Sequence, residues 1–218
     1  NYLLAPAAGN TTALTVTPAA LTVNVTSDSK TYDGNAYAGG AGVSYAGFLN
    51  GDNATVLSGT TTYAGSSQGA LHVGSYILTA NGQTATNYTL SYTPGALTVS
   101  PKTITATLTA NDKVYDGATT ATGTLTLNGL VGSETLGKTF AAAFNSKDVA
   151  SANLVTASSV QLSDGSGRAA NYVLGSGQTA SARITPLSVN VTGVSAVGRV
   201  YDATTRATLT GTPVMTTI

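Results

Sequence analysis

The side chains able to do chemistry in these 218 residues are few. His72 is the only histidine, so neither a Ser-His-Asp arrangement of the usual kind nor a histidine-based metal cluster can be assembled. Alone in a polar β module, His72 is expected at the surface or at a sheet edge. Acid–base work by paired carboxylates needs two acids in one cleft whose surroundings push their pKa values apart. Of the nine acids, Asp33, Asp52, Asp116, Asp164 and Asp202 stand in turn contexts, which account for them without catalysis. Calcium would need oxygen-rich loops, and Asn50-Gly51-Asp52-Asn53 and Asp164-Gly165-Ser166 are the two on offer. Neither has the clustered acids or the spacing of an EF-hand, and the Gly-Gly-x-Gly-x-Asp nonapeptide is missing. Cysteine is absent, which excludes disulfides, thiol catalysis and cysteine-ligated metals. The expectation is a non-enzymatic chain with no catalytic residue, no metal and no cofactor.

Aromatic chemistry offers one alternative. There are 11 tyrosines and no tryptophan, and sugars stack on exposed aromatic faces. Tyr45, Tyr63 and Tyr92 lie outside the most repeated positions and are the candidate ligand residues for a host or biofilm glycan. Against that, a chain with three phenylalanines can use tyrosine for its core and sheet edges. Thr-x-Val runs raise an ice-binding face, but their interval is a whole domain, too long for a flat ordered array.

What positions these residues is an internal repeat. Tyr2, Tyr88 and Tyr172, each after an Asn, recur at intervals of 86 and 84 residues. Pro18, Pro101 and Pro186 recur at 83 and 85, and the pairs Tyr32-Asp33, Tyr115-Asp116 and Tyr201-Asp202 at 83 and 86. One period shared by three markers sets a tandem architecture. It divides the chain into closing strands of a preceding repeat (1–18), a first complete repeat (19–101), a second (102–186), and the opening strands of a further, truncated repeat (187–218).

Strand patterning fills those units. Leu14 and Val16 alternate with threonines, and apolar alternation resumes at Leu21, Val23 and Val25, at Ile104, Ala106 and Leu108, and at Leu187, Val189 and Val191. The offset from proline is three residues in the first two units and one in the third; a shift of two keeps the same face inward. Further strands are expected at Val43–Phe48, Ala54–Ser58, Thr60–Tyr63, Ser75–Ala80, Thr122–Leu127, Thr139–Phe144 and Ser158–Leu162. Turns are expected at Asn50–Asn53, Asn81-Gly82 and Asp164–Gly167. Leu136, Phe140 and Phe144 have helical spacing, but Gly132 and Gly137 turn Glu134–Phe144 toward strand or loop. Asp33-Gly34 and Asp116-Gly117 are turn dipeptides, with the preceding Tyr packed on the core edge. Ala203 replaces the glycine in the third copy, so a different turn is expected there. The fold class is all-β: tandem small modules, sandwich-like or alternatively β-grasp-like. Proline-containing junctions of a few residues are stiff and should join them end to end as a rod.

Composition narrows the partners. Charged residues are 8% of the chain, against about 25% usually, and nine basic residues balance nine acidic ones. No dense basic patch exists to displace counterions, so no nucleic acid is expected. No apolar run approaches the roughly 18 residues of a membrane span, so no direct membrane insertion is expected. At 42% hydrophobic the chain is not compositionally disordered, and Thr, Ser, Asn, Gly and Ala must cover its surface.

The repeats resemble the YDG and MBG modules of filamentous-haemagglutinin-like bacterial surface adhesins, often exported by two-partner secretion. The resemblance rests on Lys30-Thr31-Tyr32-Asp33-Gly34, Lys113-Val114-Tyr115-Asp116-Gly117, Asn87-Tyr88-Thr89-Leu90 and Gly95-Ala96-Leu97-Thr98-Val99. Gly47-Phe48-Leu49-Asn50-Gly51-Asp52 and Val73-Gly74-Ser75-Tyr76 make the first unit MBG-like, and Tyr115–Thr120 makes the second YDG-like. The resemblance implies a stalk segment of an extracellular or outer-membrane-associated adhesin that holds an adhesive region away from the cell. It carries over no catalytic residue. Its partners would be neighbouring repeats of the same chain, with end-to-end strand pairing between fragments through the unmatched strands at 1–18 and 187–218.

Overall fold

In the computed structural model, residues 15–217 are described, and they form two compact units. Unit 1 runs through Lys102 and takes in Ala170–Val173, and unit 2 holds Thr103–Ala169 and the residues from Leu174 on. The expected strand around Leu14, and Tyr2 with it, lies outside the described residues. Thr15–Pro18 are described and carry no strand.

Unit 1 is built from β1 (Ala19–Val25), β2 (Asp28–Thr31), β3 (Val43–Ala46), β4 (Ser58–Ala64), β5 (Gly74–Thr84), β6 (Tyr88–Thr93) and β7 (Gly95–Ser100). They form two sheets, ordered β3-β1-β6 and β2-β7-β5-β4. β1 is central in the first. β3 lies antiparallel on one side, with Val23 opposite Tyr45, and β6 lies parallel on the other, with Leu21 beside Leu90. The alternation of β1 points Leu21, Val23 and Val25 inward, and all three are buried. One apolar cluster takes Val25, Val43 and Tyr92 from the first sheet and Leu78, Ala80 and Tyr63 from the second. Two small sheets thus share a core in sandwich fashion. Each fully buried Leu or Val in it contributes roughly 1.5–3 kcal/mol.

The second repeat has the same order of parts: β8 (Lys102–Ala110), β9 (Lys113–Val114), β10 (Gly123–Asn128), β11 (Leu136–Phe144), β12 (Leu154–Asp164), β13 (Tyr172–Leu174, of which Tyr172 and Val173 belong to unit 1), β14 (Thr179–Ser181) and β15 (Ile184–Thr185). β8 pairs antiparallel with β10, Leu108 opposite Leu125, and on its other edge the Gly175 N–H donates to the Ile104 carbonyl at 3.0 Å. The core gathers Leu108, Ala121, Leu125, Phe144, Ala152, Val155, Ala182 and Ile184. Residues 136–144 are a strand with Leu136 and Phe144 buried, so the helical spacing there had no helix behind it. β16 (Val189–Ala196) and β17 (Leu209–Thr217) follow as an antiparallel pair. Among the described residues, helix is limited to two 3-10 turns, and the fold is all-β.

Two local expectations are corrected. Ala54–Val56 is a 3-10 turn rather than a strand, because the Asn53 side chain accepts from the Thr55 N–H at 3.0 Å and caps it. Asn81-Gly82 is not a turn. It lies inside β5, opposite a bulge in β4 where the register shifts between Gly59 and Thr62. Gly59 and Gly82 take φ of 82° and 92°, and a Cβ on Gly59 would lie 2.2 Å from the Gly82 carbonyl oxygen. Glycine's positive φ and close approach build a bulge here, where sequence alone favours a hairpin.

Candidate functional site: a clamped Tyr-Asp turn

The most repeated chemistry in the chain is the basic residue three positions before each Asp. The Lys30 ammonium lies 2.7 Å from Asp33 Oδ1 and donates to the Asn35 carbonyl at 2.6 Å, while the Asn35 N–H donates to the same Asp oxygen at 2.9 Å. Lys113 does the same to Asp116 at 2.7 Å and to the Ala118 carbonyl at 2.8 Å, and the Ala118 N–H donates to Asp116 at 3.0 Å. In the third copy Arg199 contacts Asp202 and donates to the Thr204 carbonyl. The Thr204 N–H donates to Asp202 at 3.1 Å. The Asp closes an Asx-type turn on the backbone two residues on, and the cation bridges both sides of it. The signal for this was in the sequence as Lys/Arg-x-Tyr-Asp, but turn chemistry drew attention to the Asp-Gly dipeptide and away from the cation.

The residue after the Asp must have positive φ: Gly34 at 77°, Gly117 at 79° and Ala203 at 61°. The third turn is therefore the same turn, not a different one. Ala203 is held in a left-handed conformation that costs a non-glycine residue about 1–2 kcal/mol, against which Arg199 and the second Asp202 bond from the Thr204 hydroxyl, 2.9 Å, act.

Electrostatics follow the geometry. The Lys30 hydrogen bond, and then the Asn35 N–H, hold the Asp33 carboxyl below its ordinary value. Lys113 and then the Ala118 N–H lower Asp116, and the Thr204 N–H and hydroxyl, with Arg199, lower Asp202. All three clamps are solvent-exposed, so each ion pair is salt-screened and contributes modestly.

The tyrosines of the motif tie the turn to its unit. The Tyr32 N–H donates to the Ser100 carbonyl at 2.8 Å and the Tyr115 N–H to that of Thr185 at 2.9 Å, in each case the residue before a proline. These bonds extend the parallel pairs β2–β7 and β9–β15. Within unit 1 the Tyr32 ring is 3% exposed, with His72 stacked 6.5 Å away and Tyr172 edge-on at 5.4 Å. Asn171, itself buried, meets His72 Nδ1 through Nδ2 at 3.0 Å and accepts the Val73 N–H through Oδ1 at 3.1 Å. His72 is thus a half-buried packing residue rather than a surface one, because Asn171 satisfies its ring nitrogen. Tyr115 packs against the unit 2 core, and Tyr201 is 89% exposed.

The Asn-Tyr element also anchors by its hydroxyl. Tyr88 is buried, its hydroxyl donates to Asp52 at 2.7 Å and accepts the Leu49 N–H at 3.1 Å, and Phe48 meets its ring edge-on. Asp52 is therefore used inside unit 1.

The glycan candidates are placed differently from a sugar platform. Tyr63 and Tyr92 pack against the core of unit 1, and Tyr45 and Tyr92 are joined through Gln83, whose side-chain amide donates to Tyr45 at 2.6 Å and whose N–H donates to Tyr92 at 3.2 Å. All three are half-buried. An open cleft of about 370 Å³ in unit 2 is lined by Asp112, Val149, Asn153, Ser181 and Arg183, with no aromatic ring among its lining residues. Among the described residues no three His, Cys, Asp or Glu side chains stand close enough to hold a metal ion.

Against known proteins, residues 17–95 and again 100–182 match the YDG domain, and the chain belongs to that family. The likeness drawn from the sequence is corrected on this point. The first unit is a YDG domain like the second, not an MBG-type module, and the family shown is not a filamentous-haemagglutinin-type adhesin repeat. The clamp agrees, since Lys30-Asp33-Gly34 and Lys113-Asp116-Gly117 build the same turn. No curated protein and no solved structure matches the chain.

Proposed function

We propose that this chain of consecutive YDG domains is a non-enzymatic stalk segment of a bacterial cell-surface or secreted adhesin. It would extend and stiffen the parent protein so that a binding region elsewhere reaches its target. The observation that carries this reading is the junction: β7 ends at Ser100 and β8 begins at Lys102, with Pro101 alone between them. A short proline-containing joint is stiffer than a Gly/Ser tether. The polar, almost uncharged surface and the tandem period support the same reading, which implies an extracellular location.

Small-angle X-ray scattering on the 218-residue chain tests it. A stalk should give a maximum dimension on the order of 80–100 Å, given a radius of gyration of about 12 Å for one unit. A compact particle of roughly 55–60 Å would remove the stalk reading. Glycan binding is the rival, and the half-burial of Tyr45, Tyr63 and Tyr92 within unit 1 favours the stalk over it. The polar cleft at Asp112, Asn153 and Arg183 is where a sugar would have to be sought.

A further inference from the structure

We propose that the cleft of unit 2 binds a carboxylate-bearing sugar residue, a uronate, of a polysaccharide. Two copies of one domain differ at this place. Val99 beside Lys30 and Ile184 beside Lys113 put their closing strands in register. Leu78 opposite Gly95 and Val155 opposite Ala180 carry that register across to β5 and β12. In unit 1 the pairing of β5 with β7 runs on through Tyr76 opposite Leu97, Ser75 opposite Thr98 and Gly74 opposite Val99. In unit 2 the pairing of β12 with β14 stops at Leu154 opposite Ser181. The residues just beyond that last pair, Asn153 and Ala182, line the cleft of about 370 Å³.

The residue types account for the opening. In register, Asn153 stands for Tyr76 and Ala182 for Leu97, and counting back along the chain puts Val149 in the place of His72. Unit 1 fills the space itself, since Leu97 is fully buried and the Tyr76 hydroxyl donates to the His72 carbonyl at 2.8 Å. Each counterpart in unit 2 is smaller, and all three line the cleft. The volume so made falls within the roughly 300–1,000 Å³ of small-ligand sites.

The lining sets the ligand's chemistry. Ala152 and Ala182 are buried and, with Val149, supply an apolar floor. Asp112 spends Oδ1 on the Arg183 N–H at 2.8 Å, and Asn153 spends its amide oxygen on Asn145 at 3.0 Å. Among the described residues the Asn153 amide nitrogen, the Ser181 hydroxyl and the Arg183 guanidinium have no hydrogen-bond or ion-pair partner. Donors, an acceptor and a hydroxyl around a small apolar floor suit a ring with an apolar C–H face and hydroxyls that both donate and accept. The uncompensated charge is the Arg183 cation, and a guanidinium binds a carboxylate through paired donors. A peptide adding as a strand would need free main-chain donors. Those of both walls are taken: Ala152 donates to the Asp148 carbonyl at 2.9 Å, Asn153 to Asn145 Oδ1 at 3.1 Å, and Arg183 to Asp112. The site needs only unit 2 and stands whether or not the chain is a stalk.

Titration of the intact, nitrogen-15-labelled chain with trimers of glucuronate, mannuronate and galacturonate, followed by amide shifts, tests it. At least one uronate should shift the amides of Asn153, Ser181 and Arg183 and leave those of Tyr76, Leu97 and Thr98 in place. Neutral maltotriose should bind about tenfold more weakly, and Arg183→Gln, at an exposed position, should bring the uronate down to that level. The double variant Asn153→Tyr/Ala182→Leu installs the unit 1 side chains and should abolish binding. No shift with any uronate, shifts outside the cleft, equal binding of maltotriose, or equal shifts from a triglutamate peptide, which would give the site to acidic peptides, would each overturn it.

Discussion

β1 and the run into β16 carry nearly the same sequence, Leu-Thr-Val-Asn-Val from Leu21 and Leu-Ser-Val-Asn-Val from Leu187, and each strand has an antiparallel partner. Leu21 and Val23 are fully buried, while Leu187 and Val189 are 37% and 52% exposed. The difference lies in the strands that close the repeat. In unit 1 β6 arrives some 70 residues after β1 and completes its sheet, and β7, in the other sheet, brings Leu97 and Val99 into the core. Alternation in a strand encodes which face should turn inward; burial depends on a second layer encoded far away. The conserved geometry of the Tyr-Asp clamp in all three copies shows the converse, since that turn depends only on residues within five positions.

The comparison breaks most readily in the core. Leu97→Ala should destabilise unit 1 by about 2–5 kcal/mol, measured by urea unfolding, because it deletes a fully buried side chain. Leu187→Ala in the hairpin should change stability by less than about 0.5 kcal/mol. Equal costs would mean that the hairpin is already covered in solution.

The turn residues give the next largest effect. Gly117→Ala meets open space but must hold φ of 79°, and should cost about 1 kcal/mol. Ala203→Gly should relieve a similar strain and slow amide exchange at Thr204. A destabilising Ala203→Gly would show that the backbone there is not strained.

Two titrations sharpen the contrast further. Burial and then the Asp28 carboxylate, which accepts its hydroxyl at 2.7 Å, raise the Tyr37 phenol to about 12. The folded value exceeds the ordinary 10.0, so this contribution is complete below pH 10 and lost as pH rises through about 12. Tyr37→Phe should flatten that alkaline loss, followed by unfolding midpoints from pH 9 upward.

The clamps act in the opposite direction and more weakly. Asp116 is lowered below 3.8, so its contribution is present above that value and fades as pH falls through the folded one. The midpoint difference between the unmodified chain and Asp116→Asn should therefore shrink in acid, and also in high salt.

Legibility in the sequence divided along the same line. Local signals were sound: the period, the strands β1, β3, β4, β5, β8, β10, β11 and β12 in outline, and Asp33 and Asp116 as turn closers. What failed depended on partners. Asn81-Gly82 looked like a hairpin turn until Gly59 was seen across from it, and His72 looked exposed until Asn171 reached it from 99 positions away. The Lys of the clamp was legible but unread. The MBG-like features of unit 1 were real residues given the wrong family, since Gly47–Asp52 is the loop that receives the Tyr88 hydroxyl in a YDG domain.

Amide hydrogen exchange on the dilute, intact chain tests the central claim most directly, that distant closing strands and not strand patterning protect each YDG unit. Amides of Leu21–Val25 and Ile104–Leu108 should exchange only through global unfolding, and those of Val189–Val194 faster by orders of magnitude. Equal protection in β1 and β16 at the lowest concentration would contradict it.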